Sequence, residues 1–257
     1  MGSSWRHIAA VLTLLVATGA ASAQARAPAA HPADPLEGWN RGVYSFNDGL
    51  DTALIKPLAT GYKAVVPELV RAGVSNFFGN FGDVWSAVNQ LLQGKPVAAA
   101  QMTMRVATNT LFGIGGLFDV ASEAGIERRS EDFGQTLGRW GLPAGLYLVW
   151  PLLGPSSLRD SAALPLDVGW SPSLAVRNDQ AASNSLTALR LIDTRAGLLG
   201  ASRVLDDVAL DKYQFVRDAY LSRRRSLVYD GEPPELPAEA DEPAAPAAPA
   251  APASAPK

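Results

Sequence analysis

The sequence predicts an all-α fold, and three observations carry that prediction. Apolar residues recur at spacings of three and four through most of the chain. Helix start and stop residues stand at the ends of those periodic runs. No stretch keeps up two-residue alternation over several strands.

The first element opens at Asp34, which reads as an N-cap, with Pro35 suited to the first helical position and Glu37 three residues after the cap. Leu36, Trp39, Val43, Phe46 and Leu50 then line one face, which predicts that this face is buried. Val74 to Gln93 carries Phe77, Phe78, Phe81, Val84, Trp85, Val88 and Leu91 at helical spacing, interrupted by Gly79 and Gly82 and stopped by Gly94. Pro96 opens the next helix, which runs to about Leu111. Gly113-Ile-Gly-Gly116 breaks the pattern and predicts a turn that lets apolar segments pack closely, or a turn facing a membrane. It is not a dinucleotide fingerprint, because Phe118 stands where the third glycine is needed and no strand leads in. Ser183 to Leu199 and Leu210 to Val228 read as the last helices, the latter with Tyr213, Val216, Tyr220 and Leu227 near one face and Arg223, Arg224 and Arg225 as a solvated end, with attraction to anionic lipid or to a carrier as the lesser reading.

The stretch from Gly134 to Ser157 breaks the helical series. Arg139 is its only charged residue, while Trp140, Leu142, Leu146, Tyr147, Leu148, Val149, Trp150, Leu152 and Leu153 form a dense apolar and aromatic surface. Pro143, Pro151 and Pro155 break it into runs shorter than the roughly twenty apolar residues a spanning helix needs, so it predicts a Gly/Pro-rich apolar hairpin or two short helices. Two placements remain open on the residues alone: a plug in an ordinary core, or an interfacial seat in which Trp140, Tyr147 and Trp150 satisfy both ring and polar edge.

The chain ends read differently. Arg6, the apolar run Ile8 to Ala17 and Ala21-Ser-Ala23 have the three parts of a secretory signal peptide, predicted at 1–23 and followed by a flexible lead-in at 24–33. From 231 to 257 Pro, Ala and Glu dominate, which predicts a disordered tail and leaves 34–230 as the single folded domain.

With 22 basic and 25 acidic residues, nothing predicts a nucleic-acid surface. The sequence has no cysteine, and its two histidines, His7 and His31, precede the expected domain, which excludes Ser-His or Cys-His nucleophiles and thiolate or histidine metal sites there. The adjacent pairs Glu131-Asp132 and Asp206-Asp207 point in different directions on a helix and read as surface or caps before they read as acid and base. No cofactor is expected.

Nine short motifs then stand in order: Asp34-Pro-Leu-Glu-Gly-Trp-Asn-Arg41, Val74-Ser-Asn-Phe77, Asn89-x-x-Leu92-Gln-Gly94, Arg105-x-x-x-Asn109-Thr110, Gly113-Ile-Gly-Gly116, Glu131 to Gly138, Leu158-Arg-Asp160, Ile192-Asp-Thr-Arg195 and Phe215 to Tyr220. Together they resemble the MlaA (VacJ) outer-membrane lipoprotein family over nearly all of Asp34 to Gly231. The resemblance implies a ring-like single domain of amphipathic helices, seated in the inner leaflet of the outer membrane beside a porin trimer. It further implies an amphipathic pore that removes mislocalised phospholipid from the outer leaflet and hands it to a soluble periplasmic lipid carrier, with no bond-making step. One departure stands out: the family's lipid-modified cysteine is expected after the signal segment, where Val16-Ala-Thr-Gly-Ala20 has alanine. The expectation is an exported protein embedded at the periplasmic face without a lipid anchor, and a non-transporting structural envelope protein is the rival reading.

Carried over by resemblance, the pore candidates are Asn40 and Asn47 on the first helix, then Gly134, Gln135, Leu137, Gly138, Gly141, Leu142, Tyr147, Trp150 and Leu152 in the hairpin region, and Arg159 and Asp160 where it closes. Gly141 is expected to permit gating, so that Gly141→Pro would stiffen the hairpin. Arg159 is expected to meet either a lipid phosphate or, in an internal salt bridge, Asp160 or another acid.

Overall fold

A computed structural model describes residues 31–176 and 178–235, so the expected signal segment, most of the lead-in and the tail beyond 235 lie outside the described residues. Helix α1 spans Glu37–Leu50 and continues through a π-turn, Asp51–Ile55, into α2, Lys56–Val65. Then come α3, Glu68–Leu92; α4, Pro96–Leu111; the single turn α5, Val120–Glu123; and α6, Phe133–Arg139. Strands β1, Tyr147–Trp150, and β2, Gly154–Ser157, form one antiparallel hairpin in which Tyr147 faces Ser157 and Trp150 faces Gly154. Helix α7, Leu158–Gly169, a 3-10 turn, Pro172–Val176, then α8, Gln180–Val208, and α9, Lys212–Val228, complete the chain.

The fold is helical, as predicted, with the hairpin as its one small sheet among the described residues. Contacts close on themselves: α1 meets the hairpin, the hairpin meets α9, and α9 meets α6. From α6 they pass to α3, then α8, α2 and the π-turn, which returns to α1. That closed circuit is the ring-like arrangement.

What lies inside is unusual. Among the described residues, eighteen buried residues are polar or charged and thirteen are apolar, and Trp39, Phe46, Leu69, Phe112, Ile114 and Leu152 are each more than half exposed. In water, burial normally sorts the other way. The helices therefore hold together through polar struts. Arg105, fully buried on α4, donates to Asp83 on α3 at 3.0 Å and to Asp119 ahead of α5. Asn109 one turn on donates to Asp119 at 3.0 Å and accepts from the Ala121 amide at 2.8 Å. On α8, Arg195 grips both oxygens of Asp51 at 2.7 Å, while Asp193 accepts from Tyr62 at 3.0 Å and Ser75 at 2.6 Å. The Arg-x-x-x-Asn and Asp-Thr-Arg motifs are thus interhelical staples.

Three expectations need correction. Asp34 is not the cap of α1: the helix starts at Glu37 with Leu36 before it, and Asp34 is buried, where Asn40 and Tyr213 donate to it. Its carboxylate serves a long-range cluster in place of a local cap. The apolar face of α1 is not buried either, for Leu36, Trp39 and Phe46 are exposed while Asn40 and Val43 point inward. Periodicity located the face and could not name its solvent. Arg224 is no solvated helix end, since it lies between Asp132 and Asp160.

The helix expected at Val74 to Gln93 is longer, beginning at Glu68, and runs unbroken through Gly79. That glycine makes room for Arg128, whose Nη1 would be 2.7 Å from a Cβ there. The glycine turn also forms. A Cβ on Gly113 would meet the Phe118 carbonyl at 2.2 Å, and one on Gly116 would meet Asn80 at 2.7 Å. It carries exposed Phe112, Ile114, Leu117 and Phe118.

Candidate lipid-handling site

The hairpin is set by side chains from α1. Asn40 is fully buried and holds β1 from both sides, donating to the Tyr147 carbonyl at 3.0 Å and accepting from the Val149 amide at 2.9 Å. Two turns along, Asn47 holds the tip: it donates to the Trp150 carbonyl at 2.9 Å and accepts from the Leu152 amide at 2.8 Å. Leu152 has φ +66°, a left-handed conformation that costs a β-carbon residue roughly 1–2 kcal/mol and persists here because Asn47 fixes it. Both asparagines are positioning groups for the hairpin. The tip then presents Trp150, Leu152 and Leu153 to the surroundings.

Behind the hairpin stands α9. Tyr147 is wholly buried, 6.3 Å from the Tyr213 ring and 5.9 Å from that of Tyr220, so it is a core residue and not the interfacial aromatic expected. Trp140 and Trp150 are the exposed pair, and each indole N–H is satisfied, by the Leu92 carbonyl at 2.9 Å and by Ser161 at 2.8 Å. An apolar ring outside and a satisfied N–H inside suit the edge of a bilayer.

Where the hairpin joins α6 and α7, charges converge. Arg224 donates to Asp132 at 2.9 Å through Nη2 and to Asp160 at 2.9 Å through Nε, and Tyr220 also donates to Asp160. Asp132 at the same time caps α6 through the Gln135 amide at 2.8 Å. Burial pushes both carboxyls up, but the Arg224 hydrogen bonds and charge outweigh it and hold both below the usual carboxylate range. Gly134 permits this junction, because a Cβ there would fall 2.5 Å from Asp160 Oδ1 and 2.7 Å from Arg224 Nη2.

The predicted residues fall into three groups. Gly138, Gly141, Leu142, Arg159 and Asp160 line one cavity of about 430 Å³. Asn40 and Tyr147 lie at the hairpin base, and Asn47, Trp150 and Leu152 at its tip. Gly134, Gln135 and Leu137 belong to α6, with Gln135 buried and directed at the Ser130 carbonyl at 3.4 Å. None of the thirteen lines the larger cavity of about 590 Å³ between α3, α7 and α8, where Asp83, Asp167, Asp193, Arg128 and Arg190 mix with Trp85 stacked on Trp170 at 5.2 Å. Arg159 pairs with Asp160 at 3.0 Å, the internal ion pair that the sequence offered as one of its expectations. Sequence reasoning missed Arg217 and Arg224. Their signal was present, for Tyr213, Arg217, Tyr220 and Arg224 share one face of α9 at spacings of four, three and four.

Comparison with known proteins decides what this geometry belongs to. The chain matches the family described as MlaA lipoprotein over residues 32–227. It is 37% identical over 203 residues, 77% of this chain and 80% of the relative, to the intermembrane phospholipid transport system lipoprotein MlaA of Escherichia coli strain K12. The chain belongs to the MlaA lipoprotein family. The MlaA of Haemophilus influenzae, similarly described, is 29% identical over 229 residues, 88% of this chain and 91% of its own length. A solved structure concerned with the structural basis for maintenance of bacterial outer membrane lipid asymmetry superposes with a TM-score of 0.66 at 34% identity, covering 76% of this chain and 98% of that one. The motifs that carry the MlaA resemblance are therefore largely the staples described above. They hold an interior of ion pairs in register while leaving apolar side chains outside.

Proposed function

We propose that this protein is the outer-membrane component of an intermembrane phospholipid transport system, which takes mislocalised phospholipid from the outer leaflet and passes it to a soluble periplasmic carrier. The observation that carries this reading is the inverted distribution of polarity, with eighteen polar residues buried among the described residues and a belt of large apolar side chains exposed. Each fully buried Leu, Phe or Trp contributes roughly 1.5–3 kcal/mol on leaving water, so a belt of them strongly favours lipid surroundings. Among the described residues no helix is long and apolar enough to cross a membrane, which fits a domain seated in one leaflet by its rim. A porin trimer beside it would cover part of that rim.

The protein binds and passes its substrate without making or breaking bonds. The polar cavity between α3, α7 and α8, walled by charged groups and by Trp85 and Trp170, offers head groups a wet path, while acyl chains keep to the apolar side. Family membership and the names of the relatives support this reading. Photoreactive phosphatidylethanolamine, activated in envelopes that contain the full chain, tests it. Labelling confined to the hairpin, α1 and the α3–α8 cavity is expected; an unlabelled protein points to a structural scaffold.

A further inference from the structure

We infer that the cavity between α6, α7 and α9 is an anion subsite that takes a phosphate ester through Arg159 and Arg225. A phospholipid head group is the source of that ester if the transport reading holds, and free phosphate presents the same chemistry. The cavity, about 430 Å³, is walled on its apolar side by Leu142, Pro143 and Val228 and on its polar side by Ser157, Arg159 and Arg225.

Charge is the first argument. Arg159, Arg224 and Arg225 bring three positive charges to this junction, and Asp132 and Asp160 bring two negative ones, leaving a surplus of one. Both carboxylates are already engaged. Asp160 Oδ1 accepts from Arg224 at 2.9 Å as well as from Arg159 at 3.0 Å, and Oδ2 accepts from Tyr220 and Arg224. Among the described residues Arg225 meets no carboxylate, and its hydrogen bond goes to the Pro234 carbonyl. Of the three consecutive arginines, Arg224 is the one that carboxylates hold among the described residues.

Geometry is the second argument. Arg159 is 7% exposed, yet its Nη1 makes no hydrogen bond within the described residues. Nη1 lies against Gly138, where a Cβ would stand 2.7 Å away, so a missing side chain keeps the guanidinium beside the cavity wall. A guanidinium fork with free N–H groups beside a second arginine matches the paired oxygens of a phosphate ester. Arg224 lines the same cavity but is held by two carboxylates.

A 31P NMR titration of the purified full-length protein in a maltoside detergent tests the assignment, with dihexanoyl phosphatidylglycerol in one arm and inorganic phosphate in the other. The native protein is expected to bind the phospholipid saturably, and Arg225→Gln and Arg159→Lys each to weaken it about tenfold or more, as loss of a charge-assisted contact predicts. Dihexanoylglycerol, which lacks the phosphate, should not compete. Arg225→Gln lies at the helix end and keeps the fold, so it decides the matter should Arg159→Lys unfold. Native-like phospholipid binding by a folded Arg225→Gln overturns the subsite and leaves the transport reading standing. Arginine-dependent binding of inorganic phosphate alone upholds the subsite and counts against phospholipid as its ligand. Failure of the native chain to bind either compound overturns the subsite.

Discussion

Asn40 Oδ1 accepts from the Val149 amide at 2.9 Å, joining the first helix to the hairpin through a side chain that no solvent reaches. The same carboxamide donates to the Tyr147 carbonyl at 3.0 Å and to Asp34 at 2.8 Å. Asn40→Ala leaves three buried polar groups without their partner, each costing about 1–3 kcal/mol. The variant should lose roughly 3–5 kcal/mol in denaturant unfolding, where truncation on the exposed face of α1 loses less than about 0.5 kcal/mol. A native-like midpoint for Asn40→Ala would remove the clamp from the account.

Arg224 is the second keystone. Its replacement by methionine leaves Asp132 without its cation and Asp160 with Arg159 alone, and breaking such a buried pair costs about 3–5 kcal/mol. Because Asp132 also caps α6, circular dichroism should show lost helix as well as a lower melting temperature. Arg223→Met, on the exposed side of the same turn, provides the control and should leave both readouts unchanged.

The glycines separate two physical causes. Gly134→Ala places a methyl 2.5 Å from Asp160, so it should destabilise by overpacking, about 1–3 kcal/mol. Gly141 has φ +95° with open space around it, so Gly141→Ala should cost roughly 1–2 kcal/mol of backbone strain alone. Gly141→Pro, which the sequence suggested as a way to stiffen the hairpin, demands φ near −65° and would break the turn. Asp160→Ala, which removes the crowding oxygen, should soften the penalty of Gly134→Ala and not that of Gly141→Ala; equal responses in unfolding experiments would refute the distinction.

Stability should depend on pH in two senses. Burial lifts the carboxyls of Asp83, Glu131 and Asp167 above their ordinary values, against nearby hydrogen bonds and charges, so the fold gains stability as pH falls through those raised values toward about 4. Asp132 and Asp160 are held low, so their contribution is complete above about 3.9 and is lost as pH falls further, through their folded-state values. The melting temperature should rise modestly from pH 7 toward the low fours and drop below that. Asp132→Asn should flatten the acid side. A steady decline from neutrality would contradict the balance.

Much of this was legible in the sequence. Helix α4 was readable because Pro96 suits the first helical position and the periodic run ends at about Leu111. The four-residue strands were not, since Tyr147–Trp150 offers too little alternation to separate from an apolar turn. Asp34 misled because an aspartate before Pro-Leu-Glu has a cap's chemistry, and Tyr213, 179 residues away, claims it together with Asn40 and Arg217. The orientation of α1 was hidden for a deeper reason. Trp39 and Phe46 mark a face in the same way whether water or lipid lies beyond it, and the buried Asn40 next to them was the clue to which.

That belt is separable from the fold. Trp39 is 63% exposed and Phe46 57%, so Trp39→Glu with Phe46→Glu should leave the unfolding midpoint within about 1 kcal/mol while weakening flotation with phospholipid vesicles at least tenfold. Native-like flotation of that double variant would show that another surface seats the protein.

The most direct test of the central claim is the amount of phospholipid exposed in the outer leaflet of the outer membrane in a strain lacking this chain, with the native chain or the Trp39→Glu, Phe46→Glu variant restored from a plasmid. Exposure should rise on deletion, return to the starting level with the native chain and stay high with the variant. Exposure that remains flat on deletion, with the native protein normally present in the parent and no second family member expressed, would contradict lipid clearance and leave a structural role in its place.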